Sequence, residues 1–163
     1  MTSAAFVIPG DITLATGGYA YDRRVMALLP RFGIDVNHVA LAGSFPSPSA
    51  EDLKATARIF AKLPRSTVLL VDGLAYGAMP RDVILNANCP IIALVHHPLC
   101  LETGLSAERQ AELKNSETAA LALAQDVIVT SAATGRTLAT EFAVPAEKIT
   151  VAEPGTDTAP RVM

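Results

Sequence analysis

The stretch Ile92-Ala93-Leu94-Val95-His96-His97-Pro98-Leu99 decides the fold, because a short apolar run ends in two adjacent imidazoles and a proline. Its residue types are those of a buried strand. Ligands of open α/β sheets bind outside the carboxyl ends of the strands, so the histidines stand where chemistry is expected. Working outward, similar runs occur at Ala4–Ile8, Asp35–Leu41, Thr67–Val71, Ile91–Val95, Asp126–Thr130 and Ile149–Val151. Between them lie apolar stripes at helical spacing: Tyr21, Val25, Leu28, Leu29 and Phe32; Leu53, Ala57, Phe60 and Leu63; Leu138 and Phe142. Pro30 is expected to tighten or end the first helix early, and Pro64 and Pro145 to stop the others. This alternation predicts an α/β domain, a Rossmann-like open and mostly parallel sheet of about six strands with helices on both faces.

Composition narrows the function classes. A chain of 163 residues, 50% apolar and 5% aromatic, suits one domain with a well-covered core. The net charge of −3 comes from interspersed signs, with no basic cluster among aromatic residues, so nucleic-acid binding is disfavoured. Cys89 and Cys100 match neither a zinc pattern nor a CxxC motif and read as lone thiols of a reducing compartment. The first residues lack the regions of a signal peptide, and no apolar run reaches the ~18 residues of a membrane span. A cytoplasmic protein is expected, with peripheral contact at a membrane surface still compatible. No repeat or low-complexity tract interrupts the chain. After the last strand, Glu153-Pro154-Gly155-Thr156-Asp157 shows no period. Residues 1–152 are therefore read as one domain and 153–163 as the start of a linker, in a chain cut at a domain boundary.

The loop after the first strand ends in Thr16-Gly17-Gly18-Tyr19 before a helix. Glycines there let a ligand approach the backbone closely, and free N–H groups with the helix dipole favour an anion such as phosphate. A plain loop and helix start account for the pair about equally well. GxGxxG and a Walker lysine are both missing, and Leu41-Ala42-Gly43-Ser44 stands where a ribose-binding acid would follow the second strand. Nicotinamide binding is disfavoured.

His96 and His97 lie beyond a strand end rather than within it, which sets a functional reading level with a structural one. Alternation sends them to opposite sides, so they are not expected to share a metal. No serine nucleophile elbow and no HExxH accompanies them. Glu117 occupies a position on the apolar stripe of Leu113, Ala120, Leu121 and Ala124, on a helix starting near Ser106. A buried carboxylate needs partners. The commoner explanation is a structural hydrogen bond to backbone or to a histidine; the functional one is that Glu117 orients a residue of the crevice. Leu99 to Ser106, with Gly104, is expected to act as a mobile lid.

Taken in order, the Gly17-Gly18 loop, His96-His97-Pro98, Glu117 ahead of Asp126-Val127-Ile128-Val129-Thr130-Ser131, and Val151-Ala152-Glu153-Pro154-Gly155-Thr156-Asp157 resemble the N-terminal half of family 4 glycosyltransferases. These are retaining enzymes of the GT-B architecture that use nucleotide diphosphate sugars. The resemblance covers essentially the whole chain. Each motif is loose alone; four in order are specific.

The resemblance implies an acceptor-side domain facing a donor-binding domain across a cleft. Gly17 and Gly18 match the family loop that reaches toward the donor phosphates, and His96 the histidine near the transferred sugar, with His97 and Glu117 in support. Asp157 falls at the interdomain hinge, where a structural role is implied. The C-terminal domain with the EX7E motif and its basic residues is absent from the chain, so the chain alone is expected to be inactive. The expected donor is a nucleotide diphosphate sugar and the acceptor a sugar, lipid or small molecule. No cofactor or metal is expected, the sequence showing no acidic pair that argues for one. Two other readings stay open: a stand-alone module that binds a phosphorylated ligand, and half of another GT-B-like enzyme such as a nucleotide-sugar epimerase.

Overall fold

The computed structural model describes residues 2–158. Six strands, β1 (Thr2–Pro9), β2 (Ile34–Leu41), β3 (Thr67–Asp72), β4 (Ile91–Val95), β5 (Asp126–Val129) and β6 (Ile149–Val151), form one sheet in the order β2-β1-β3-β4-β5-β6. Every neighbouring pair is parallel. The expected Rossmann-like open sheet is therefore present. From β1 the chain first moves outward to β2 and then returns to β3 on the other side, so the strand order reverses between β1 and β3. Such a reversal opens a crevice at the carboxyl ends.

Burial explains which runs looked continuous. The inner strands β3 and β4 are buried almost throughout, whereas the edge strand β2 exposes Asp35, Asn37 and His38 between half-buried Val36 and Val39. An inner parallel strand is covered on both faces and reads as an apolar run; an edge strand keeps the alternation of its pleat.

The connecting helices are α1 (Gly17–Leu28), α2 (Ala50–Lys62), the short α3 (Gly73–Tyr76) and α4 (Arg81–Ile84), α5 (Ala107–Leu121) and α6 (Ala132–Glu141). They cover the two faces unequally. The larger core, with Phe60, Tyr76, Val83, Leu113, Leu121 and Leu138 against the sheet, lies under α2 to α6. The smaller, Phe6, Ile8, Leu70 and Leu94, packs under Tyr21, Val25 and Met26 of α1. Burial of these side chains is the main source of stability, about 1.5–3 kcal/mol for each large apolar residue.

Local chemistry sets the boundaries. Ser49 and Asp52 form a capping box at the start of α2. Pro30 tightens the end of α1 into a 3₁₀ turn, Leu29–Phe32, closed by Gly33 at φ +76°. That turn corrects one expectation: Phe32, placed on the apolar stripe, is 78% exposed. Three residues per turn instead of 3.6 carry it off the buried face. The four-residue α3 and α4 are too short for a helical period to show in the sequence. The end of the expected linker, residues 159–163, lies outside the described residues.

Candidate functional site

His96 leaves the sheet one residue after β4 and turns toward α1. Its Nε2 lies 3.1 Å from Asp22 Oδ1 and 3.9 Å from Asp72 Oδ2. Its ring meets that of Tyr21 edge-on, centroids 5.3 Å apart. The side chain keeps 25% exposure, and its Nδ1 has no protein partner among the described residues. His97 is exposed. Of the two imidazoles, His96 is the one held against α1 and β3, and His97 stands exposed.

Each neighbour of His96 has a reason to be there. Gly18 and Asp22 are four residues apart on α1 and share one face of it. A Cβ at Gly18 would stand 3.6 Å from the His96 ring, an ordinary contact, and one at Gly17 would meet nothing within 4 Å. Internal packing therefore leaves space beside both glycines. Thr16 caps the helix by accepting from Tyr19 N–H, which leaves the Gly17 and Gly18 amides uncapped at the crevice. Asp72 ends β3 and caps α3, its Oδ1 accepting from Leu74 N–H at 2.7 Å. Arg23 donates to the Ile12 and Leu14 carbonyls and holds the β1–α1 loop in place.

Asp22 and Asp72 are 0% and 3% exposed. Burial pushes the Asp72 carboxyl up to about 7, helped by the charge and contact of Asp22 and opposed by the Leu74 N–H and by His96. Burial alone would lower the His96 pKa, but the hydrogen bond to Asp22 and the charges of Asp22 and Asp72 outweigh it and raise it. Asp22 Oδ2 is buried without a hydrogen-bond partner. One ligand atom from each of Asp22, Asp72 and His96 lies within 4.8 Å of the others, so among the described residues these three are close enough to gather around a cation. An acidic pair thus exists where the sequence was read as showing none. The two aspartates are 50 positions apart and only the β1–β3 adjacency brings them together. One signal did mark them: a carboxylate at the end of an apolar strand, before Gly73, and another on an otherwise apolar face of α1.

Glu117 lies elsewhere, beneath the loop that follows β4. Its Oε2 accepts from Leu99 N–H at 2.9 Å. It is 1% exposed, and burial pushes it up to about 7 against the Leu99 N–H and Lys114. The partner is backbone rather than histidine. The same bond bears on the expected lid: Leu99 and Cys100 are buried in a 3₁₀ turn, Leu105 is half-buried, and Leu101–Gly104 and Ser106 are exposed. Asp157 pairs with Arg24 at 2.7 Å beside an open groove of about 540 Å³ that begins at Gly17 and Tyr21.

The crevice therefore offers two amide donors, one accessible imidazole nitrogen and buried acids behind the ring. That set can hold an anion at the amides while presenting the imidazole to a neutral or anionic group. No protein family and no curated protein matches the chain. No helix among the described residues is long and apolar enough to cross a membrane.

Proposed function

We propose that this chain is the acceptor-side half of a retaining GT-B glycosyltransferase, and that its crevice meets the diphosphate and sugar of a nucleotide diphosphate sugar. The observation that carries this reading is the convergence of His96 on Gly18 at the N-terminus of α1, at the point where the strand order reverses. The ordered motifs of the sequence support it. In the reaction the bond from the anomeric carbon to the diphosphate oxygen breaks, its electron pair leaving with the diphosphate. The acceptor oxygen bonds to that carbon on the same face, and its proton passes to the departing diphosphate oxygen.

The residues of this half bind and orient. Gly17 and Gly18 N–H groups and the positive end of α1 face the phosphate charge. His96 Nδ1 hydrogen-bonds the donor and positions the reacting groups. Stabilisation of the leaving diphosphate belongs to a donor-binding half.

Binding is tested on the ¹⁵N-labelled chain, titrated with inorganic diphosphate and with uridine and guanosine diphosphate sugars. Shift changes should centre on the Gly17, Gly18 and His96 signals and be larger for a nucleotide sugar. Equal response to inorganic diphosphate alone favours a module for phosphorylated ligands, and changes confined to other loops contradict both readings.

A further inference from the structure

Beneath His96 the hydrogen-bond inventory is one donor short. Asp72 Oδ1 is taken by Leu74 N–H and Asp22 Oδ1 by His96 Nε2. Two carboxyl oxygens remain, Asp72 Oδ2 and the fully buried Asp22 Oδ2, and the latter has no partner. The surrounding donors are already used: Tyr19 Oη donates to the Pro9 carbonyl, Tyr21 Oη to Ala152, Arg23 to Ile12 and Leu14, and Arg24 to Asp157. The Thr134 hydroxyl, from α6, accepts from Ser131 Oγ and donates to the His96 carbonyl. His97, next in the chain, and Asp11, which faces Tyr19, are exposed. An unpaired buried carboxylate oxygen is costly, and two ionised carboxylates in contact away from water more so.

We infer that Asp22 and Asp72 share one proton, carried by Asp72 Oδ2 and donated to Asp22 Oδ2, and that Asp22 as the ionised member holds His96 as an imidazolium with Nδ1–H toward the crevice. Placing the proton on Asp72 satisfies every oxygen with the groups present. Ion pair and neutral acid together leave the cluster without net charge, and the one charged donor reaching solvent is His96 Nδ1–H. Asp22 and Asp72 are thus positioning residues that act through His96. The raised pKa of Asp72 agrees with this distribution, as does the raising of His96 by its hydrogen bond to Asp22 and by the charge of Asp22. This inference rests on the proposed function only for what the cation meets, an anionic donor; the charge state belongs to the ligand-free chain.

The two aspartates are then unequal, although both touch the same histidine. Asp72→Asn keeps an acceptor for Leu74 and puts an amide N–H where the carboxyl proton was. Asp22→Asn removes the charge that holds the imidazolium. In ligand-free samples followed by ¹³C and ¹⁵N NMR, His96 should titrate near its wild-type midpoint in Asp72→Asn and about one pH unit or more lower in Asp22→Asn. In the unsubstituted protein at pH 6, Asp72 Cγ should show the shift of a protonated carboxyl and Asp22 Cγ that of a carboxylate. This second reading stands even if Asp22→Asn does not fold. Equal lowering of His96 by both substitutions, an Asp22 that is the protonated member, or one Zn²⁺ bound per chain at micromolar concentration through all three side chains would each overturn the inference. Because no ligand is added, these outcomes are independent of nucleotide-sugar binding.

Discussion

Leu99 N–H donates to Glu117 Oε2 at 2.9 Å, and this bond ties the loop that carries His96 to the middle of α5. Gly77 closes the same junction from the other side, its carbonyl accepting from Ser116 Oγ at 2.8 Å. The site is thereby supported from below by a helix that never reaches the crevice.

The support is sensitive to pH. Burial holds Glu117 protonated up to about 7, so between roughly 4.5 and 7 the folded chain retains a proton that the unfolded chain has lost. Stability from this group is complete below the unfolded pKa and falls as pH rises through the folded one, by on the order of 3 kcal/mol. Asp72, raised to about 7, has the same sign over the same window; His96, also raised, adds a loss that begins near 6.5. The melting temperature should therefore fall from pH 5 to pH 8. Glu117→Gln keeps an acceptor for Leu99 and removes the ionisation. Thermal scans should show that its melting temperature changes less over this range and exceeds that of the unsubstituted chain at pH 8. Parallel pH profiles would show that Glu117 is ionised throughout.

Glu117→Ala is a different experiment. It leaves the buried Leu99 N–H without an acceptor, at about 1–3 kcal/mol, and opens a cavity besides. Urea unfolding at pH 6 should place it well below Glu117→Gln. Equal midpoints would remove the bond from the account of this loop.

Three glycines should respond differently to alanine. A Cβ at Gly73 would lie 2.9 Å from the Leu94 carbonyl oxygen, which is backbone of β4 and cannot yield. One at Gly77 would lie 2.8 Å from Leu99 Cδ1 and 3.0 Å from Glu117 Cγ, both in side chains fixed by burial. Both substitutions should destabilise by about 1–3 kcal/mol. Gly17→Ala meets no atom within 4 Å and should leave urea stability unchanged or slightly higher. Its effect should fall on the ligand, because the new methyl group enters the space beside the free amides. Weaker diphosphate-sugar binding at unchanged stability is expected in titrations of this variant; unchanged binding would remove the phosphate role from this loop.

Much of this fold was legible because the inner strands of a parallel sheet are apolar on both faces. All six strands were placed to within a residue or two, and the α5 start at the Ser106 cap was read from the same pattern. Phe32 was misplaced because one proline changed the helical pitch locally. The site was legible in part. His96 and the two glycines stand out by their positions after strands, and Glu117 by a charge on an apolar stripe, although it bonds the Leu99 backbone outside the crevice. Asp22 and Asp72 were missed because their meaning depends on β1 and β3 being neighbours, a property of strand order that local periodicity does not carry.

The central claim is that His96, at the glycine-lined end of α1, serves sugar transfer. The most direct measurement is nucleoside diphosphate release and glycoside formation by the full gene product, supplied with nucleotide diphosphate sugars and a mixture of sugar and lipid acceptors. The account predicts a product of retained anomeric configuration, a loss of about a hundredfold or more for His96→Ala at unchanged stability, and near-normal turnover for His97→Ala. Normal turnover by His96→Ala, or comparable transfer by the 163-residue chain alone, would contradict it.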